Sequence, residues 1–287
     1  MRTADQEDPL SESIYIPANH LAVSIVLHKS PIPILQRCLA NLQAALVRLL
    51  ETQPRMTTTV VLVDNASGRT YIAKLHALIQ AFGFPVVIHC NDGNLGYGAG
   101  HNQAQGKDVD FRLILNPDVF LEPNALVRAL AFLAANPDVG LVVPHARDER
   151  GRQLYLCKRY PTVLVLALRG GAPPWLQKRF SAYLEKYEMR DLDWSVPRFD
   201  LQLISGCCFL IRETVWRAIG GFDPGYFLYF EDFDLGLRAR RVTRLAYLPD
   251  FVVTHLGGGV ARKGWRHRVW FVASAWRFFQ RYGWRWV

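Results

Sequence analysis

The chain has 287 residues, 50% of them apolar and 21% charged, with 34 Lys and Arg against 25 Asp and Glu for a formal net charge of +9. That composition excludes a disordered chain, a collagen-like fibre and a small disulfide scaffold, and the length suits two lobes of ordinary size or one large α/β domain. The charge is unevenly placed: from Gly236 onward there are 11 Lys and Arg and one acid, Asp250, so the rest of the chain is nearly neutral and the surplus belongs to the tail.

Five cysteines (Cys38, Cys90, Cys157, Cys207, Cys208) form an odd set without CxxC spacing. The first 20 residues carry Asp5, Glu7, Asp8 and Glu12 in place of a basic, apolar signal sequence. A reducing cytosol is the natural expectation. The longest uncharged apolar runs, residues 163–168 and 269–276, fall well short of the roughly 18 needed to span a bilayer.

After a polar leader over 1–19, residues 21–27 read as a buried strand, and Ser30-Pro31 opens a helix whose Ile34, Leu35, Cys38, Leu39, Leu42, Leu46 and Leu49 share one face. Residues 58–63 form a second strand ending at Asp64-Asn65, 70–81 a helix, and 86–90 a third strand. A glycine-rich turn leads to a short helix opening near Gly100, and 111–115 is a strand ending at Asn116-Pro117-Asp118. This alternation predicts a parallel sheet with helices on both faces and polar strand ends along one rim. Beyond it the pattern loosens: a helix over 124–135, a strand over 141–144, a mixed stretch over 155–194 with a loop at 170–174, a strand over 199–212, helices over 213–219 and 234–241, and a strand over 251–254. The division is a nucleotide half over 20–118, an acceptor half over 119–259 and a tail over 260–287.

Asp64, Asp118 and the run Glu231-Asp232-Phe233-Asp234 stand at element ends on that rim. So many like charges in one crevice call for a cation or a donor-rich ligand, and a divalent metal with a phosphate ligand satisfies both. Taken singly, each acid also suits a turn or a helix cap: Asp64 an Asx-type turn with Ser67, Asp232 and Asp234 the cap of the following helix, and Asp234 an i,i+4 pair with Arg238.

The chain resembles the family 2 glycosyltransferases of the GT-A fold, in particular bacterial rhamnosyltransferases of polysaccharide assembly. The resemblance rests on Val-Ser-Ile-Val at 23–26, Val-Asp-Asn-Ala-Ser at 63–67, Asn-Leu-Gly-Tyr-Gly-Ala-Gly-His-Asn at 94–102, Leu-Asn-Pro-Asp at 115–118, Ser-Gly at 205–206, Gly-Gly-Phe-Asp at 220–223 and Phe-Glu-Asp-Phe-Asp-Leu-Gly-Leu-Arg at 230–238. It implies an α/β fold of GT-A type, a Rossmann-like mixed sheet flanked by helices. It also implies an inverting transfer from a nucleotide-sugar such as dTDP-rhamnose to a glycan or lipid-linked glycan, with Mg2+ or Mn2+ as cofactor.

The same resemblance implies the residue roles. Asp64, Asn65, Asn94, Gly96, Gly98, Asn102 and Asn116 serve the donor, Asp118 and His255 hold the metal, Ser205, Gly206 and Glu231 meet the acceptor, and Asp232 is the base, supported by Glu231. Asn116 stands where the family carries the first acid of its Asp-x-Asp motif, and His101 where relatives often have Arg. A lone strand-end His such as His255 also suits a structural role. A dinucleotide fingerprint fits the glycine loop less well, since its spacing is G-x-G-x-G and it follows the third strand. Cys207-Cys208 reads as small-residue packing. A catalytically silent glycan- or lipid-binding protein on the same fold and a nicotinamide-dependent oxidoreductase are the alternatives.

If residues 261–281 are helical, Arg262, Lys263, Arg266, Arg277 and Arg281 share one sector and Val269, Phe271, Val272, Ala275, Trp276, Phe278 and Phe279 the opposite one. Such a basic, aromatic helix either lies on the anionic inner leaflet of the cytoplasmic membrane, as a peripheral protein would, or packs its apolar face on the body. Nucleic acid is disfavoured as a partner because the body has no matching positive surplus.

Overall fold

The computed structural model describes residues 19–287 except 105, 107, 200 and 258–263. The polar leader, Gly258-Gly259 and the Arg262-Lys263 pair of the tail therefore lie outside the described residues. Strand β1 (His20–Leu27) is buried at seven of its eight positions, as the apolar run requires of a central parallel strand. Pro31 and Pro33 then open helix α1 (Ile32–Thr52), where a fixed φ and a missing N–H cost nothing in the first turn. Leu35, Cys38, Leu39, Leu42, Ala45, Leu46 and Leu49 form its buried face at helical spacing. Truncating one such leucine to Ala removes about 2–5 kcal/mol.

The next elements are β2 (Thr57–Asn65), α2 (Arg69–Ile79), β3 (Val86–Asn91), α3 (Tyr97–Asn102) and β4 (Phe111–Leu115). β1 pairs in parallel with both β2 and β4, and β2 with β3. The second half runs β5 (Val119–Leu121), α4 (Ala125–Ala135), β6 (Val139–Arg147), β7 (Gln153–Leu154), β8 (Cys157–Lys158), α5 (Val163–Gly171), α6 (Pro174–Arg179) and α7 (Ser181–Tyr187). It continues through β9 (Arg198–Phe199), β10 (Leu203–Ile204), β11 (Cys208–Arg212), α8 (Glu213–Ile219), α9 (Glu231–Ala239), β12 (Arg244–His255) and α10 (Trp265–Tyr282). The main sheet has the order β3-β2-β1-β4-β11-β6-β12-β5, with β7 and β9 at its margins, and the line at residue 118 falls inside it.

The parallel sheet expected from the alternation holds over β1 to β4, and the second half makes the sheet mixed, as the resemblance implies. β11 runs antiparallel to both β4 and β6, and β5 antiparallel to β12. The cause is local: the Asn116 N–H donates to the Cys207 carbonyl, so the chain enters the sheet beside the end of β4 and can only run back along it. The strand expected over 199–212 is three pieces, β9, β10 and β11, interrupted at 205–207. The helix expected over 234–241 begins three residues earlier, at Glu231, and the strand expected over 251–254 is the end of a 12-residue strand. Pro249 disguised that strand; a register irregularity between Leu248 and Val252 absorbs it.

Because β6 and β12 still point the same way as β4, the ends of β2, β3, β4 and β12 and the start of β11 share one rim. Ligands of open α/β sheets bind at that rim. Below it, Arg112 of β4 makes a two-pronged bond to Glu213 of α8 at 3.1 and 3.2 Å, with both side chains nearly inaccessible. α10 closes the far side, burying Phe278 and Phe279 in a cluster with Tyr226 and Phe230. Among the described residues no helix is long and apolar enough to cross a membrane.

Candidate active site

At the end of β2, Asp64 is 1% exposed. Its Oδ2 accepts the Ser67 N–H at 2.9 Å, which forms the Asx-type turn, while Oδ1 is buried with no hydrogen-bond partner among the described residues. One oxygen satisfies the turn and the other is left for a donor that the chain does not supply. Asp64 lines a cleft of about 660 Å³ with Arg69, His76, Asn91 and Asp92.

Asn65 is saturated within the chain: its Nδ2 donates to the Gly96 carbonyl and its Oδ1 accepts from Asn91 Nδ2, both at 2.8 Å. Asn94 Oδ1 accepts the Gly96 N–H at 3.0 Å. Gly96 has φ +87°, and a Cβ there would stand 2.1 Å from the Phe227 carbonyl oxygen; one on Gly98 would stand 2.7 Å from Phe222 Cβ. Asn102 grips the backbone of Phe222 from both sides, at 2.8 and 3.0 Å. Close packing on residues 221–227 thus accounts for these glycines, and the loop forms a wall of the site. His101 lies under that wall, fully buried, with Nδ1 2.7 Å from Ser24 Oγ. Burial, helped by Arg112, pushes its pKa down to about 3, so it is neutral.

At the end of β4, Asn116 Oδ1 is buried without a hydrogen-bond partner among the described residues. Two residues on, Asp118 Oδ2 lies 3.5 Å from His255 Nε2. The last pairing of β12 with β5 sets His255 opposite Val119 and so delivers it to Asp118. Burial works against charge on His255, but the Cys207 sulfur and Asp118 outweigh it and raise its pKa to about 10. Among the described residues no three His, Cys, Asp or Glu side chains gather as a metal cage. An oxygen and a nitrogen 3.5 Å apart are nonetheless spaced as two neighbouring ligands of one cation, and phosphate oxygens commonly complete such a shell. The residues present fit a divalent metal bound together with a diphosphate once the cation displaces the proton on His255, since imidazole ligates only in its neutral form.

Residues 205–207 join this corner to the acids of α9. The Gly206 N–H donates to Asp232 Oδ2 at 2.8 Å, the Phe233 N–H to Oδ1 at 2.9 Å, and the Tyr97 hydroxyl donates to the Gly206 carbonyl. A Cβ on Gly206 would lie 2.9 Å from Asp232 Cβ. α9 has no side-chain cap bond, and Asp232 is spent on Gly206 and Phe233. Two consecutive non-glycine residues in the left-handed region, Tyr229 at φ +70° and Phe230 at +65°, aim that first turn. Backbone held in this way costs on the order of 1–3 kcal/mol per residue and clusters at functional sites.

Burial raises the Asp232 pKa to about 6, against the two backbone N–H groups that lower it. Burial, then the neighbouring Asp232 charge, holds Glu231 well above the usual carboxylate range; its Oε2 is buried and unpartnered among the described residues. Both shifts run upward, so the two adjacent carboxyls hold their protons more tightly than free ones and titrate as a coupled pair. Asp234 is structural: Arg238 Nε at 2.7 Å and the Tyr282 hydroxyl at 2.6 Å saturate it.

Ser205, Glu231 and Asp232 open into a cavity of about 1150 Å³ whose other walls come from α5, α7 and α10. Sequence reasoning missed this: Tyr97 sits inside a quoted motif without a role, and Lys158, Arg169, Glu188 and Arg190 lie in the stretch read only as mixed. The tail helix also departs from its expected sectors. Arg277 and Arg281 turn to the body and pair with Asp223, at 3.1 and 2.7 Å, while Trp265, Val269, Val272 and Trp276 are 54–72% exposed. Cys207 and Cys208 are buried at the β11 entrance, and all five cysteines are unpaired.

Residues 39–277 match the model of the family described as Glycosyltransferase like family 2. The chain is 30% identical, over 79% of its length and 73% of the relative's, to the N-acetylglucosaminyl-diphospho-decaprenol L-rhamnosyltransferase of Mycobacterium tuberculosis (strain CDC 1551 / Oshkosh). Among solved structures it resembles the mannosyltransferase PcManGT of Pyrobaculum calidifontis, in complex with GDP-Man and Mn2+, with a TM-score of 0.56 at 17% identity over 92% of this chain and 64% of that one. It also resembles GalNAc-T7 with UDP, GalNAc and Mn2+, at a TM-score of 0.57 and 17% identity, over 82% of this chain and 43% of that one. The strand-end acids on one rim, the mixed sheet and these likenesses agree, and the chain belongs to the family 2 glycosyltransferases, with the GT-A fold.

Proposed function

We propose that this glycosyltransferase is an inverting, metal-dependent rhamnosyltransferase that moves L-rhamnose from dTDP-rhamnose to a lipid-linked or growing glycan at the cytoplasmic face of a membrane. The observation that carries the inverting reading is Asp232: a carboxylate with pKa raised to about 6, fixed by two backbone N–H groups at the mouth of a 1150 Å³ cavity. A general base works best when its pKa lies near the working pH. The name of the mycobacterial relative supports rhamnose and a lipid diphosphate acceptor.

The acceptor hydroxyl enters beside Asp232 and gives up its proton to the carboxylate as its oxygen bonds to the anomeric carbon. The bond from that carbon to the diphosphate breaks, its electron pair leaves with the nucleoside diphosphate, and one displacement inverts the centre. Asp64 Oδ1 accepts the pyrimidine N3–H, and Glu231 supports Asp232 and meets the acceptor. Asp118 and His255 would hold a divalent cation, Mg2+ or Mn2+, which would supply positive charge against that of the leaving diphosphate. Mn2+ in both solved neighbours supports this role. The exposed Trp265, Val269 and Trp286 give α10 and the terminus an aromatic outer surface suited to a membrane interface.

A thermal-shift panel of nucleotide-sugars with and without Mn2+ tests the reading, because a ligand bound only by the folded state raises its stability. dTDP-rhamnose with Mn2+ gives the largest shift, and chelation ends transfer. Donor binding with neither hydrolysis nor transfer would instead identify a silent binding protein on the same fold.

A further inference from the structure

The 1150 Å³ cavity is larger than one sugar ring needs, and its two ends differ in chemistry. Beside Ser205, Glu231 and Asp232 stand three cations from three elements: Lys158 of β8, Arg169 of α5 and Arg190, just past α7. All three converge on one acid, Glu188. Arg190 Nε donates to Glu188 Oε2 at 2.7 Å, Arg169 pairs with Oε1, and Lys158 Nζ lies 3.8 Å from Oε1. Glu188 is 12% exposed, whereas Arg169 and Arg190 are 43% and 48% exposed and can reach a further anion. The cluster carries net charge +2 in a concave wall, and Arg268 of α10 adds another cation to the lining. Burial pulls the Lys158 pKa down to about 8, with a smaller push from the two arginines against Glu188, and Glu185 of α7 adds one further acid to the lining.

Tyr187 stands within the cluster, with Arg169 and Lys158 over its ring at 5.6 and 5.9 Å, and lines the same cavity as Asp232. The lining also carries an apolar trough between α5 and α10. Val163 and Leu166 of α5 face Phe271, Val272, Ala275 and Trp276 of α10, and the trough opens where Val272 is 66% and Trp276 59% exposed. Acid–base pair, cation cluster and apolar trough thus line one cavity that opens to the surface.

We propose that this cavity is the seat of a lipid diphosphate acceptor, with Lys158, Arg169 and Arg190 receiving the diphosphate and the α5–α10 trough receiving the first segments of an isoprenoid chain. The inference rests on the transferase reading of Asp232 and deepens it by placing the acceptor's anionic and apolar parts. Charge complementarity selects the occupant. A free glycan offers no anion to the cations and no apolar surface to the trough, and a soluble sugar phosphate satisfies only the cations. Arginine suits the task because its planar fork binds phosphate oxygens two at a time.

Farnesyl diphosphate, farnesol and inorganic pyrophosphate, titrated into the full chain in the presence of dTDP and Mg2+ to fill the donor site, separate these contributions. Trp276 and Trp284 line the trough, so their fluorescence reports occupancy, with calorimetry as a check. Farnesyl diphosphate should bind at least about tenfold more tightly than either fragment, since each end adds its own burial or charge term. Two variants read the two ends, Arg169→Gln with Arg190→Gln at partly exposed positions and Val272→Glu at an exposed one, and each should weaken farnesyl diphosphate about tenfold or more. An unliganded melting transition like that of the parent shows that each variant folds. Equal affinity for pyrophosphate and farnesyl diphosphate, or undiminished binding by the folded Val272→Glu variant, would overturn the proposal. Failure of the transferase reading has a separate signature: no transfer from any nucleotide-sugar, whatever farnesyl diphosphate does.

Discussion

Replacing Asp232 by Asn separates chemistry from folding. The carboxylate accepts from Gly206 N at 2.8 Å and Phe233 N at 2.9 Å. An amide can accept only one of these and turns its own donor on the other, a loss of about 1–3 kcal/mol for an unsatisfied buried group. Against that, ionising Asp232 in the fold is penalised, because its pKa stands near 6 instead of 3.8, which corresponds to about 3 kcal/mol. The sign follows from the direction of the shift. A carboxyl whose folded pKa is raised holds its proton longer in the folded state, so stability declines as pH climbs from about 4 to about 6 and the whole penalty is in force above that. The Asn variant escapes it, and the two effects nearly cancel: its melting temperature at pH 7.5 should change little. Activity should not survive so well, since removing a general base costs about 10²–10⁴-fold. Initial rates of nucleoside diphosphate release between pH 5 and 9 measure both effects. Wild-type kcat/KM rises with unit slope and levels off just above pH 6, whereas Asp232→Asn is low and flat across that limb. A variant that retains a tenth of wild-type activity, or keeps the limb near pH 6, would refute the base assignment.

Gly206→Ala should lower kcat while leaving the donor KM close to wild type, because its Cβ would lie 2.9 Å from Asp232 Cβ and displace the base without touching the Asp64 cleft; kinetics that change only KM would contradict this. Glu213→Ala strands the buried Arg112 guanidinium and should cost about 3–5 kcal/mol in a urea titration; a loss below 1 kcal/mol would show that water reaches Arg112. Trp265→Ser combined with Val269→Glu, both outside the acceptor cavity, should reduce sedimentation with anionic vesicles while transfer to a short soluble acceptor continues; unchanged sedimentation would show that α10 docks on no membrane through that face. Asp64→Ala should raise the donor KM about tenfold or more, the expected loss for one charge-assisted hydrogen bond.

The rim was legible in the sequence because it does not depend on the direction in which β11 runs. A residue at the end of β2, β4 or β12 reaches the same crevice whether or not β11 runs backward between them, because the antiparallel strand contributes its start to that rim. The placement of Asp64, Asp118 and His255 on that rim was therefore readable from strand ends, whereas Asp232, in the first turn of α9, was singled out by the family motif. The roles of Asn65 and Asn102 were not readable, since a side chain that binds a ligand and one that grips a carbonyl look alike until the partner is known. Gly96 and Gly98 suit a loop that approaches a ligand, and they suit equally one pressed on Phe227 and Phe222. The 155–194 stretch was opaque because its helices are short and pack chiefly on one another, with α5 tied at its first turn to the carbonyls of Arg285 and Trp286 near the end of the chain.

The tail shows why bulk charge is a poor guide to what a segment touches. Of the arginines whose spacing on α10 points to solvent or lipid, Arg277 and Arg281 are engaged by Asp223, and Arg281 also lies 3.1 Å from Asp234 Oδ1. Their partners lie beside and within the acidic α9 segment, so much of what looks like a cationic patch is the other half of an internal ion-pair network. Phe278 and Phe279 are buried against Tyr226 and Phe230, in the segment that carries the strained residues just before Glu231 and Asp232. Removing residues 261–287 would therefore strip the support from the catalytic turn along with any membrane contact. α10 packs on the turn before Glu231 and Asp232 and lines the cavity into which they open, so whatever surface or lipid engages its outer face does so on an element that borders Asp232.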